Sequence, residues 1–209
     1  FGSDRVGFVD ERKRSHFGRR LGLRIGRLTC DHCLIDEIRV FAVQAFIKTL
    51  FEIVTIRKGP DAVPYSWLLL NVATAMWFLP LLVAAVVVPG FGGAAVAVSV
   101  AGWALSLACY ASVIALAGFG SRLLQSLTAI IGCGAIIFLA QVAGLVTLSF
   151  LVGTALAQVI VYLLLFWSIH VKGHIISRAI DRDWYVGLII AIAVFVLQYA
   201  FSTAVFPAS

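Results

Sequence analysis

Two groups of residues have types and spacing suited to chemistry. Cys30-Asp31-His32-Cys33 sets two thiols either side of a histidine, with His16 upstream. Structural zinc takes four ligands, commonly two such pairs, and the other cysteines, Cys109 and Cys133, lie inside long apolar runs. A redox CxxC needs a thioredoxin-like fold around it, which a short leader does not supply. Chance spacing is the simpler reading. His170 and His174 stand four residues apart, so on a continued helix they share a face, the spacing of metal-binding histidine pairs. Asp181 and Asp183 follow closely. The competing reading makes His170, Lys172, His174, Arg178 and Arg182 an interfacial cluster that meets lipid headgroup phosphates, or simply charge that sets topology. Two imidazoles alone hold neither zinc nor haem specifically, so the headgroup reading is preferred and no cofactor or metal is expected.

The strongly polar side chains within or near the apolar runs are Asn71, Gln125, Gln141, Gln158 and Gln198. Neutral amides in lipid usually hydrogen-bond across helices. A solute path more often shows a buried Asp, Glu, Lys or Arg, and none is expected inside the spans. No G-x-S-x-G, H-E-x-x-H or P-loop sequence occurs, so the expectation is a protein that is not an enzyme.

The elements that must position these residues follow from composition. The chain of 209 residues is 62% hydrophobic and 12% charged, against roughly a quarter charged in soluble domains. A chain this small has too little interior to hide such an excess from water, whereas lipid removes the difficulty. The net charge of +6 does not indicate nucleic acid. Twelve of the sixteen Lys+Arg fall within residues 1–61, and the remainder cluster between apolar runs, the footprint of orientation on an anionic membrane face.

Uncharged runs occur at 65–88, 94–117 and 184–206, each long enough to cross the hydrocarbon core, for which about 20 residues suffice. Pro80 lies in the first and should kink it rather than end it. Between Leu123 and Val171 no side chain is charged except His170 if protonated. One helix of that length would measure about 73 Å, more than twice the core thickness. The run must therefore fold back, and the expected turn lies between Gly144 and Gly153, giving helices at 123–146 and 150–171. Lys172 to Asp183 is expected as a polar loop. Five spans with the N-terminus in the cytoplasm and the C-terminus outside put every Lys and Arg on the inner side, and four or six spans would not. The predicted fold is an all-α, polytopic transmembrane bundle. Small residues at close spacing (Ala94, Ala97, Ala101, Ala108 and Ser112; Gly132 and Gly134; Gly187 and Ala191) are expected to mark tight helix packing.

Before the spans, residues 36–58 show helical spacing of Ile38, Ala42, Phe46, Thr49, Leu50 and Ile53. They read as an amphipathic helix, lying on the inner leaflet or packed on the ends of the bundle. Residues 1–35, rich in Arg and Gly without sustained periodicity, read as a mobile basic leader. The only methionine is Met76, so residues 1–34 are alternatively an upstream extension of the reading frame. Their removal is expected to leave insertion intact, because Arg39, Lys48, Arg57 and Lys58 also carry the orientation signal.

This plan, with Gly59-Pro60 and Pro64-Tyr65-Ser66 leading into the first span, resembles small bacterial inner-membrane proteins of the Yip1-like kind. Gln125-Ser126-Leu127-Thr128-Ala129-Ile130-Ile131-Gly132 and the stretch from Trp167 to His174 carry the same likeness, which covers about residues 36–207. It implies an inner-membrane location and, through eukaryotic relatives, links to membrane trafficking and small GTPases; it carries over no catalytic residue. The expected function is a non-enzymatic scaffold or organiser acting through helix and lipid contacts. The alternatives are a small transporter or channel subunit, then a metal- or haem-binding membrane protein using His170 and His174. Expected partners are membrane lipids, together with another membrane protein or a second copy of the chain, and no nucleic acid.

Overall fold

The computed structural model describes residues 44–88 and 91–205. The leader, with His16 and the Cys30–Cys33 pair, lies outside them. Six helices make up the described chain: α1 (44–54), α2 (Trp67–Val87), α3 (Gly93–Leu116), α4 (Leu123–Val152), α5 (Thr154–Ala179) and α6 (Trp184–Val205). The last five are long and apolar enough to cross a membrane, so the chain is an all-helical, multi-pass membrane protein. Large apolar side chains such as Val86, Phe150, Leu163 and Ile189 point outward. In water that surface would aggregate, and in a bilayer it meets acyl chains. α2 continues through a fully buried Pro80.

The reversal between α4 and α5 takes a single residue. Gly153 has φ +87 and ψ 160, a region of backbone space essentially reserved for glycine. The helix expected to end at 146 therefore runs six residues further. Gly144 passes through as an ordinary helical residue, and Ser149 stays in the helix by donating to the Val146 carbonyl at 2.9 Å.

The other end of α5 differs more. The segment expected as a loop from Lys172 is helical to Ala179, because Lys172 to Ala179 contains no proline and packs against α6. The helix closes where Asp181 adopts φ +52 and the Arg182 N–H reaches the Ser177 carbonyl at 3.0 Å, a Schellman-type cap. Lys172 thus lies inside a span, contrary to the expectation that no charged residue does.

α4 lies between α2 and α5, α5 packs on α6, and α3 leans mainly on α6. The buried core centres on Leu50, Ile53, Ala73, Leu81, Ile131 and Ile175. α1 belongs to it. Phe46, Leu50 and Ile53 are buried, the Cys133 thiol points at the Leu50 carbonyl at 3.8 Å, and the Trp167 indole N–H donates to the Val54 carbonyl at 3.2 Å. The apolar stripe of α1 faces the bundle and not the leaflet. A Cβ on Gly132 would meet Leu50 Cδ1 at 2.7 Å, so the bare glycine is what admits Leu50. The exposed face carries Glu52, paired with Lys58 at 2.7 Å, and the hydrogen bond from Lys58 holds the Glu52 carboxyl below its usual range.

Arg122 and Arg178 come together at one end of the bundle, the Arg122 guanidinium donating to the Arg178 carbonyl at 3.5 Å. Gly59 also approaches the Arg178 side chain there. At the opposite end the α2–α3 link and the Gly153 turn carry no charge.

The small-residue stripes divide. Gly187 sits in a backbone-to-backbone crossing with Gly173 and Ser177 of α5. On α3, by contrast, Ala94, Ala97, Ala101, Ala108 and Ser112 are all exposed. That stripe faces away from the bundle, and the close approach on α3 is made by Gly102 against Gln198.

Candidate functional site

Between the spans lies a cavity of about 330 Å³ to which every one of α2–α6 contributes. It exists because α3 stands off from α4 and α5, and because the wall position 134 is a glycine. A Cβ on Gly134 would meet nothing within 4 Å, so this glycine faces open space. At the level of α2's middle residue, Trp77, the indole stacks on Trp103 of α3 with ring centroids 4.4 Å apart and 18° between planes. Trp77 also approaches Phe138 of α4 at 6.3 Å.

Lys172 lines this cavity, as do Gly134 and Trp77, and all three also border one smaller void. Gly134 precedes Phe138 by four residues, about 6 Å along a helix, so Lys172 enters within about a turn of mid-bundle. Side chains on a helix tilt toward its N-terminus, and the N-terminus of α5 is at the uncharged end. The Lys172 stem therefore leans into the bundle rather than toward the near, Arg-bearing interface. The smaller void, of about 30 Å³, reaches Tyr110.

No Asp or Glu occurs between residues 62 and 180 or after 183, so the lysine has no carboxylate partner in the spans. The other polar lining groups are neutral. Ser106 already donates to the Trp103 carbonyl at 2.8 Å. Ser168, one turn before Lys172 on the same face, and Gln141 and Gln198 make no side-chain hydrogen bond among the described residues. The lining runs from Lys172 and Ser106 near mid-bundle to Ser202, three residues from the end of α6 and so about 5 Å from the uncharged end.

The residues singled out from the sequence are thus redistributed. Of the presumed headgroup cluster, only Arg178 and Arg182 are exposed. His170 packs between Trp167, at 5.6 Å, and Trp184, at 5.0 Å. His174 is buried, and Lys172 faces the cavity. The five do not form one surface, because a continuous helix points them in different directions. The histidine pair gains no further ligand: Asp183 accepts from the Tyr185 hydroxyl at 3.0 Å, and among the described residues no group of three metal-ligating side chains comes together. Of the five amides, Gln141 and Gln198 line the cavity. Asn71 and Gln158 are exposed, and Gln125 is partly so. None makes a side-chain hydrogen bond to another helix among the described residues, although Gln198 packs against Gly102 of α3.

Ser168, Trp77 and Trp103 were missed as site residues, and Lys172 was expected in a headgroup cluster rather than in a cavity between the spans. The available signal was the four-residue spacing of Ser168 and Lys172, with no helix breaker between them and no acidic partner in any span. Comparison with family models, with curated proteins and with solved structures finds no match to this chain.

Proposed function

We propose that this protein is a non-enzymatic membrane protein that admits a small solute into the polar cavity between its spans, as a transporter or a transporter subunit does. One observation carries this reading: a lysine within about a turn of mid-bundle, in a cavity walled by all five spans. A scaffold acting through helix and lipid contacts, the role favoured from the sequence, needs no such cavity. An ionisable side chain in the hydrocarbon region is expensive and marks a solute or ion path by default.

Cysteine accessibility tests it, in a background from which Cys30, Cys33, Cys109 and Cys133 have been replaced. Ser168→Cys and Gln141→Cys should react with a small water-soluble thiol reagent in intact vesicles. Leu163→Cys, on α5 but exposed to lipid, should stay silent. Equal silence of all three would remove the cavity from consideration.

The positive-inside rule orients the bundle with its Arg122, Arg178 and Arg182 end in the cytoplasm, in an inner membrane. The cavity then runs toward the outside. Reporter fusions after Ser209 should read external and fusions within 180–183 cytoplasmic. A cytoplasmic C-terminus would reverse the direction of access.

A further inference from the structure

We infer that the cavity binds a small organic anion, its carboxylate or phosphate held by the Lys172 ammonium and its apolar body against the Trp103 and Phe195 walls. This rests on the solute-binding reading above and adds the chemical class of the solute.

Charge decides the class. Among the described residues, Lys172 is the one Lys, Arg, Asp or Glu on the cavity wall, and the spans offer no carboxylate to neutralise it. A cation would meet uncompensated repulsion there, and a neutral solute would leave the ammonium without a counter-charge in a medium where unpaired charge is disfavoured. An anion supplies what the protein withholds.

The donors agree with that assignment. Ser168 lies one helical turn before Lys172, so the two project to the same face, and its hydroxyl is not already donated to a helix carbonyl. Ser106 differs: its proton is committed to the Trp103 carbonyl, so it has no hydrogen left to donate to an anion. The amides of Gln141 and Gln198 stand further toward the uncharged end, where they can receive the solute's polar groups on entry. Apart from Ser99, Ser202 and two glycines, the remaining wall is aromatic or aliphatic, including Trp77, Trp103, Phe138 and Phe195. Inorganic phosphate would leave those walls unused. A volume near 330 Å³ sits at the low end of small-molecule pockets, which suits an anion with a single ring or a short chain.

The test is calorimetric, on full-length protein in phosphatidylcholine nanodiscs, with benzoate and its uncharged isostere benzamide as probes. Benzoate should bind at least tenfold more tightly than benzamide. Lys172→Gln and Lys172→Met should erase the preference, and Lys172→Arg should keep most of it. Discs containing phosphatidylglycerol separate two sources of such an anion. Benzoate binding that persists there indicates a free solute; binding that is competed away indicates a lipid headgroup, and either result supports the site. Equal affinity for the two probes in the wild type, or a preference that survives Lys172→Gln, overturns the inference but leaves a cavity that binds neutral solutes. If neither probe binds and Ser168→Cys is also unreactive, the solute-binding reading itself falls.

A second measurement does not depend on the lysine variants folding. Gln141→Cys, with Lys172 intact, should react several-fold faster with an anionic methanethiosulfonate than with a cationic one, relative to their rates with mercaptoethanol. Equal relative rates would overturn the proposal.

Discussion

Gly187→Ala should lose most of the folded bundle under conditions where the wild type survives, while Gly134→Ala should not. Both glycines lie in spans, and nothing in their immediate sequence separates them. At Gly187 an added Cβ would collide with the Gly173 carbonyl and lie 2.7 Å from the Ser177 nitrogen. These are backbone atoms of α5, so relief requires the helices to part. The same crossing viewed from Gly173 puts a Cβ 2.9 Å from Leu188 Cα. Overpacking of this kind costs about 1–3 kcal/mol and more where neighbours cannot yield, so a loss of about 3 kcal/mol is expected. Gly134 meets open space in a helical backbone, where alanine removes glycine's conformational penalty of about 0.5–1 kcal/mol. Its alanine variant should equal or exceed the wild type. Unfolding by sodium dodecyl sulfate in mixed micelles reads both. A Gly187→Ala protein as stable as Gly134→Ala would mean that α5 and α6 do not cross as described.

The second large effect concerns α1. Leu50 is fully buried against the bare Gly132, and Leu50→Ala should cost about 2–5 kcal/mol as a core truncation does. Gly132→Ala should also destabilise, because its methyl would press on the Leu50 side chain at 2.7 Å. Combined, the two changes should cost less than their sum, since the new methyl fills space that Leu50 vacates. A coupling of about 0.5–3 kcal/mol is the range for residues in contact. A helix lying on the leaflet would give a small effect for Leu50→Ala and strict additivity with Gly132→Ala. The same micelle titration, with proteolysis within residues 55–58 as a local readout, distinguishes these outcomes.

These experiments address choices that hydropathy cannot make. The number of spans and the gathering of Arg122, Arg178 and Arg182 at one end were legible in the residues themselves. Exclusion of charge from lipid is a local property of each run, and runs without Asp, Glu, Lys or Arg have one stable destination. The last turns of α5 were hidden for the same reason. A rule that ends a span at its first charge ends it at Lys172, but whether the helix continues depends on Gly173 and Ser177 finding α6. Which face of each span turns inward was equally closed to sequence. In water, apolar residues reveal the inner face by contrast with polar ones, but in lipid both faces are apolar and the contrast disappears. The small residues of α3 therefore looked like a packing seam and face outward, whereas Gly134, one of a pair with Gly132, opens a cavity in place of a contact. Lys172 takes its meaning from the same source. Its charge was plain in the sequence, but only the packing of α5 among the other four spans placed that charge in a walled cavity, where no span supplies a carboxylate, because the path of a long helix is decided by the surfaces it meets.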